Sequence, residues 1–354
     1  MKKLSAAVVG LNMGRAHIAA YRKLPEYELT ALCDLNMELA KEISGENGNV
    51  PVYSNYSQML AEAKPDVVCV ATPTDLHCGM TVEAVNAGVK GVYCEKPAAV
   101  NMREARAMEK AANDKAVPLA IGHQRRVSAP YAAMRKAILD GLIGDVYLMR
   151  GMCAGDMLSD GTHTIDSLLF LNGDCDVAWL LGQIYRGSKA SAEAKQKNRY
   201  AYVGTRFGHN IERGSIACFQ LDNGVRCEVY CGDQLLMPGR VYQDIEIFGS
   251  AGRIWRNNDS ASPPLRINTT GKWEELPVEI PEGGDDSGIM RAHRLFAATV
   301  LEGAPHPMSM ANAMRGFEAV TAVFESARTN SRIVPPLLQE EYPLDIMLRE
   351  RGDF

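Results

Sequence analysis

The sequence predicts an α/β fold, with an N-terminal doubly wound parallel sheet followed by an α/β domain built on a large mixed or antiparallel sheet. Three observations predict it. Short, unbroken apolar runs alternate with helical patterns from Leu4 to Ile121. Each of those runs ends in glycine or polar residues. Beyond Val146 the apolar spacing changes to period two. The expected division is one domain over 1–124, a second over 125–330, and a strap or tail over 331–354.

The chain has 354 residues, of which 46% are hydrophobic and 23% charged, and this length favours two domains of ordinary size. A net charge of −5 gives no electrostatic reason to expect nucleic acid or an anionic membrane as partner. The nine cysteines are scattered without a C-x-x-C pair, and Cys33, Cys69 and Cys94 lie in apolar runs as small hydrophobes. Cys227 and Cys231 have no matching second pair, so no metal site is expected. This is the cysteine usage of a reducing compartment. After Met1-Lys2-Lys3 the run Ala6–Val9 is too short for a signal peptide, and no run reaches membrane-spanning length. The expectation is a soluble, cytoplasmic protein.

Leu4–Val9 leads into Gly10-Leu-Asn12-Met13-Gly14, and a helical pattern follows through Ile18, Tyr21 and Leu24. Strand, glycine turn and helix is the context in which a backbone can approach a pyrophosphate at a helix N-terminus. Here the glycines are four apart rather than spaced as G-x-G-x-x-G. The run Tyr27–Cys33 ends in Asp34, twenty residues past Gly14. An acid there suits the ribose hydroxyls of NAD and repels the 2′-phosphate of NADP; it would equally serve as the N-cap of a helix through Ile43. Asp66–Val70 reads as a buried strand opening onto Ala71-Thr72-Pro73-Thr74-Asp75-Leu76-His77. Gly91-Val-Tyr-Cys delivers Glu95, Lys96 and Pro97 at its end, and Pro118–Ile121 delivers Gly122–Gln124. Parallel alternation puts all these polar ends on one edge of the sheet.

These residues resemble a known family. Val9-Gly-Leu-Asn-Met-Gly-Arg-Ala-His17, Ala71-Thr-Pro-Thr-Asp-Leu-His77, Glu95-Lys-Pro97 and Asp160-Gly-Thr-His163-Thr-Ile-Asp166 are similar to motifs of the glucose–fructose oxidoreductase / inositol dehydrogenase / rhizopine catabolism (Gfo/Idh/MocA) family. The resemblance implies an N-terminal Rossmann domain that holds NAD(H) or NADP(H). It implies a C-terminal sheet domain that carries substrate and subunit contacts, hence a homodimer or homotetramer. By position, Lys96 resembles the lysine that holds the reacting hydroxyl and steers proton transfer, and His163 the general base. Thr72, Pro73 and His77 fall where the family lines its cofactor, and Gly10, Asn12, Met13, Gly14, Asp34, Thr74, Glu95, Lys96 and Gln124, at the glycine turn and the other strand ends, are expected to bind it with them. Two departures stand out. The glycine turn is shorter than in many members, and the aspartate four residues before the histidine is replaced by Ser159, with Asp160 at three.

Arg125 and Arg126 precede a helix Pro130–Leu139 and read as solvated helix-entry charges, with substrate contact as the alternative. His163 and Asp166, three apart, share a face of the helix that continues through Leu171, so the carboxylate could orient the imidazole. The same pair could be a satisfied core histidine. Gly182–Phe207 is polar and aperiodic, with Tyr200, Tyr202, His209 and Glu212 as possible substrate contacts. Gly214–Leu221, Val225–Cys231 and Tyr242–Phe248 alternate as strands separated by turns at Asp222-Asn-Gly224 and Pro238-Gly239. Helices are expected over Asp286–Leu301 and Met310–Asn330.

The function expected from these residues is an NAD(H)-dependent oxidoreductase interconverting a secondary alcohol and a ketone on a sugar, polyol or related small polyhydroxy compound. Lys96 and His163 would act with Asp160 or Asp166 assisting. Two alternatives stand beside it: an NAD-assisted glycosidase working through transient oxidation, and a non-catalytic sugar- or NAD-sensing regulator, as the galactose-pathway repressor is.

Overall fold

The computed structural model describes residues 3–186, 204–232, 242–258, 261–279 and 288–352. The chain divides into two compact units, Met1–Val127 with Ser287–Ala313 and Ser128–Asp286 with Met314–Phe354.

The first unit is a six-stranded parallel sheet in the order β3-β2-β1-β4-β5-β6. Its strands are β1 (Leu4–Val9), β2 (Tyr27–Cys33), β3 (Val52–Tyr53), β4 (Val67–Val70), β5 (Gly91–Cys94) and β6 (Leu119–Ile121). The helices that link them are α1 (Leu11–Lys23), α2 (Met37–Glu46), α3 (Tyr56–Ala63), α4 (His77–Asn86) and α5 (Met102–Asp114). Every residue of β4 and β5 is buried, which is why these strands read as continuous apolar runs. The strand order reverses between β1 and β4, the place where doubly wound sheets open a crevice at their carboxyl ends.

The segment 288–313 belongs to this unit, whereas the sequence reading puts it in the second. Helix Ile289–Glu302 buries Ala292, His293, Phe296 and Ala297, a stripe at helical spacing, in the same core as Tyr21 and Tyr27. The fit is close: a Cβ at Gly91 would lie 2.7 Å from the Val300 side chain. Asp286, where the sequence reading starts this helix, lies outside the described residues.

The second unit is an eight-stranded sheet in the order β16-β15-β14-β13-β7-β12-β11-β8. Its strands are β7 (Val146–Ala154), β8 (Val177–Tyr185), β11 (Gly214–Leu221), β12 (Arg226–Gly232), β13 (Gln243–Gly249), β14 (Gly252–Arg256), β15 (Leu265–Asn268) and β16 (Glu274–Glu275). A separate two-stranded ribbon pairs β9 (Thr205–Arg206) with β10 (His209–Asn210). The β7–β12 pair is parallel and the other neighbours are antiparallel, so the sheet is mixed. Helices α6 (Ala129–Leu139) and α7 (Thr162–Leu171) and, from Met314 onward, the helix Met310–Thr329 complete the unit. Along β11 the residues Ala217, Phe219 and Leu221 are buried, while Ile216 and Cys218, which alternate with them, are exposed. Tyr147, Leu181 and Tyr185 are likewise exposed.

One boundary expected from the sequence shifts here. β8 runs through Tyr185, past Gly182 where the sequence reading begins an irregular stretch, and buries Leu180 and Gly182 at period two. The described part of the C-terminal segment, residues 331–352, packs on this unit. Helix Pro343–Arg351 buries Leu344 and Met347, and Asp345 accepts a 2.8 Å hydrogen bond from the Asn210 side chain. Ile333 also bridges to Leu180 beside the sheet.

The contact of helix Met310–Thr329 with the sheet depends on Gly182, where a Cβ would sit 2.8 Å from the Val323 backbone. Gly182→Ala is therefore expected to destabilise the protein by about 2 kcal/mol, read as a lower urea midpoint at unchanged m-value. An unchanged midpoint would show that the helix can shift at no cost.

Candidate active site

In the first unit the strand ladder continues past the strand ends. Ala71 donates to Val9 O (2.8 Å), Asp34 to Tyr53 O (3.1 Å), Glu95 to Val70 O (2.8 Å) and Gly122 to Cys94 O (2.8 Å). Gly10, Asp34, Thr72–Thr74, Glu95–Pro97 and Gly122–Gln124 thereby share one rim, as the sequence predicts.

Gly10 has φ 84° and leaves no room for a side chain, since a Cβ would meet Ala71 C and O at 2.6 Å. Behind it α1 begins with no capping side chain and no acid in its first turn, so its positive dipole end favours an anion. Gly14 serves packing instead, because a Cβ there would strike Val8 at 2.8 Å. Asn12 and Met13 are exposed on the first turn. Asp34 is not the N-cap of α2; Asn36 is, accepting from Leu39 N at 3.1 Å. The Asp34 carboxylate accepts from Leu11 N and from Asn36 N, each at 2.8 Å, and so ties the second strand end to the start of α1.

His77 is buried and bridges two rim turns, with Nδ1 2.8 Å from Pro97 O and Nε2 2.9 Å from Thr72 O. Burial lowers its pKa, against the pull of the two carbonyls. It joins the Thr72 turn to the Lys96-Pro97 turn. Thr74 is buried, Pro73 exposed, and Lys96 and Gln124 half-buried. Arg126 corrects the expectation of a solvated charge: it is 3% exposed and its guanidinium reaches Pro307 O at 3.4 Å. Arg125 is half-buried.

The sequence reading missed what lies under Lys96. Glu95 is buried, its Oε1 3.0 Å from His17 Nε2, and His17 Nδ1 is 2.8 Å from His293 Nε2. His17 stands on the buried face of α1 beside Ile18 and Tyr21, and that is the one sequence signal for it.

In the second unit β7 leads through Gly155 into a π-helical turn, Met157–Gly161, and then α7. The turn is wide because both Asp160 N and Gly161 N donate to Asp156 O, each at 3.0 Å, while the Asp156 carboxylate caps Ser159 N at 2.7 Å. All ten residues of α7 are buried, His163 and Asp166 among them. The sequence places these two on one helix face, and α7 keeps them there.

Asp160 turns toward Arg206, which forms ion pairs with Asp160 and, at 2.8 Å, with Asp156; Tyr242 donates to Asp160 Oδ1 at 3.1 Å. His209 Nε2 lies 3.2 Å from Ser159 Oγ and 3.7 Å from Asp156. Burial would raise Asp156, but His209 and Arg206 outweigh it and hold the carboxyl below its ordinary range. Glu212 accepts from Met157 N at 2.7 Å, and burial together with the Asp156 charge pushes it up to about 8. His209 and Glu212 thus support the turn from inside. Tyr200 and Tyr202 lie outside the described residues. Asp156 and Arg206 were not found from sequence, because their pairing joins positions 50 apart across a polar, aperiodic stretch.

Residues 4–123 match the family model described as "Oxidoreductase family, NAD-binding Rossmann fold". Residues 4–123 thus carry the NAD-binding Rossmann domain of the Gfo/Idh/MocA oxidoreductases. The chain is similar to the D-glucoside 3-dehydrogenase of Escherichia coli K12, 23% identical over 93% of this chain and 97% of that protein. It is similar also to the D-apiose dehydrogenase of Paraburkholderia graminis, 24% identical over 97% of this chain and 92% of that protein. Among solved structures, an Agrobacterium radiobacter oxidoreductase in complex with NAD+, L-tartaric acid and magnesium has the same fold: TM-score 0.78, 18% identity, 94% of this chain and 98% of that one. NAD is the family's cofactor, and the open start of α1, the side-chain-free approach at Gly10 and the acid at Asp34 fit it. No helix among the described residues is long and apolar enough to cross a membrane.

Glu212 sets a pH dependence. Its folded-state pKa lies above its unfolded value near 4.3, so the folded state binds more protons between the two, and the stabilisation is lost as pH rises toward 8. Urea midpoints of the wild type should fall relative to Glu212→Gln between pH 5 and pH 9. Parallel curves would mean that Glu212 is ionised throughout.

Proposed function

We propose that the chain interconverts a secondary alcohol and a ketone on a small, neutral polyhydroxy compound, with NAD(H) as cofactor. The observation that carries this reading is Lys96, held half-buried at the end of β5 on the rim that begins with Gly10 and Asp34. The names of the relatives, which refer to a D-glucoside and to D-apiose, support a sugar or polyol as the substrate class.

When bound, the nicotinamide supplies the hydride chemistry. Gly10, Asn12, Met13 and the start of α1 would hold its pyrophosphate, and Asp34 its ribose. Thr72, Pro73, Thr74, His77, Glu95 and Gln124 belong to the turns that line it. The chain's own residues do the rest. The Lys96 ammonium binds the reacting oxygen and offsets negative charge developing there. His163, as neutral imidazole, takes the hydroxyl proton. Asp166, three residues on along α7, is the proposed support of the imidazolium. Asp160 spends its carboxylate on Arg206 and Tyr242, so its proposed role is to fix the turn that precedes His163. The exposed apolar side chains on the open face of the second unit's sheet, Met152, Leu181 and Ile216, support a homo-oligomer through that face.

Lys96→Ala is expected to lower kcat by about a thousandfold or more while the Kd for NADH changes less than about threefold. Equal loss of turnover and of NADH affinity would remove Lys96 from the chemistry. His163→Asn should lower kcat by about a hundred- to ten-thousandfold and abolish the imidazole limb of the pH–rate profile.

A further inference from the structure

The group beneath Lys96 has a part to play that the reaction itself does not assign. A carboxylate at the end of a buried parallel strand is costly to desolvate, and it persists only where a partner and further hydrogen bonds satisfy it. Glu95 meets that condition on both oxygens. Oε1 lies 3.0 Å from His17 Nε2, and Oε2 accepts the backbone N–H of Lys96 at 3.2 Å. Its own N–H is fixed to Val70 O at 2.8 Å. The side chain passes beneath Gly122, where a Cβ would lie 2.8 Å from Oε1. The residue after Lys96 is anchored as well, since Pro97 O is 2.8 Å from His77.

The protonation states agree with this geometry. A protonated His17 donates from Nε2 to Glu95 and from Nδ1 to His293 Nε2, which leaves His293 neutral. Burial opposes charge on His17, and Cys69 and Glu95 beside it raise its pKa nonetheless. Burial and the neighbouring His17 lower His293. Burial would raise Glu95, and His17 with Lys96 holds it down. His293 is held in turn by its backbone, whose carbonyl accepts from the Tyr27 hydroxyl at 2.8 Å.

We propose that His17 and Glu95 are a positioning pair for Lys96, linking the helix that opens at the glycine turn to the strand end that presents the lysine. His17 lies on α1, whose first turn carries Gly10–Gly14, so one hydrogen-bonded chain runs from α1 through His17 and Glu95 to the Lys96 backbone. Neither residue touches the reacting atoms; both act through where Lys96 is held. The inference rests on the reading of Lys96 given above.

The test uses the full-length protein with NAD and whichever of methyl β-D-glucoside, D-apiose and myo-inositol it oxidises fastest. Glu95→Gln, Glu95→Asp and His17→Gln are compared in the wild-type and in the Lys96→Ala background, with thermal melts confirming the folded state. Expected in the wild-type background is a tenfold or greater loss of kcat, with substrate KM and NADH Kd within about threefold. In the Lys96→Ala background the same substitutions should lower the residual rate no further. Should that residual rate fall below detection, the split between kcat and KM decides. A purely structural pair would lower the melting temperature and leave kcat of the folded enzyme intact, and that result overturns the proposal. So does an equal loss in both backgrounds. If Lys96→Ala itself turns over at the wild-type rate, the assignment of Lys96 fails first and the pair loses its object.

Discussion

A parallel strand covered on both faces has no place for a polar side chain except at its ends. β4 and β5 are wholly buried, so the chemistry of the first unit is confined to the residues that follow them. The ladder bonds from Ala71, Asp34, Glu95 and Gly122 extend the sheet's regularity into those turns, which places four loops on one rim by backbone geometry alone. The carboxylate of Glu95 is the exception that reaches inward. Its partner His17 is what makes the exception affordable at the strand end that carries Lys96.

The second unit solves a different problem by related means. α7 is buried on every side, so the histidine it carries cannot be oriented by solvent. The preceding π-turn is instead fixed from beneath by Asp156, Asp160 and Arg206, with Glu212 and His209 closing the cluster. Two carboxylates on one guanidinium already leave one net negative charge, and a buried Glu212 beside Asp156 is pushed toward its protonated form rather than adding a second.

Much of this was legible in the sequence for one reason: local patterns survive folding. The apolar runs of β1, β2, β4 and β5, the glycine turn and the acid at Asp34 are each encoded within a few neighbouring residues. What escaped was encoded at long range. His17 and His293 are 276 positions apart, and nothing near His293 reveals that its helix returns to the first unit. Arg206 sits in a stretch without periodicity, where pairing to Asp156 and Asp160 leaves no trace in the pattern. Asp34 shows a subtler limit. Its residue type suits both a cap and a ribose contact, and only the structure gives the cap to Asn36, two positions on. Arg126 was misread because a charge before a helix is usually solvated, whereas here the returning segment at Pro307 covers it.

The central claim is that the rim from Gly10 to Gln124 holds a nicotinamide dinucleotide whose redox state responds to a polyhydroxy compound. Nicotinamide fluorescence of the purified protein tests it most directly. NADH and NADPH would be titrated into the wild type and into Asp34→Ala, followed by a panel of sugars, polyols and their oxidised forms. The account predicts tight NADH binding, a preference over NADPH that weakens in Asp34→Ala, and at least one compound that changes the reduced fraction. Absence of nicotinamide binding, or binding indifferent to Asp34 and to every compound, would contradict it.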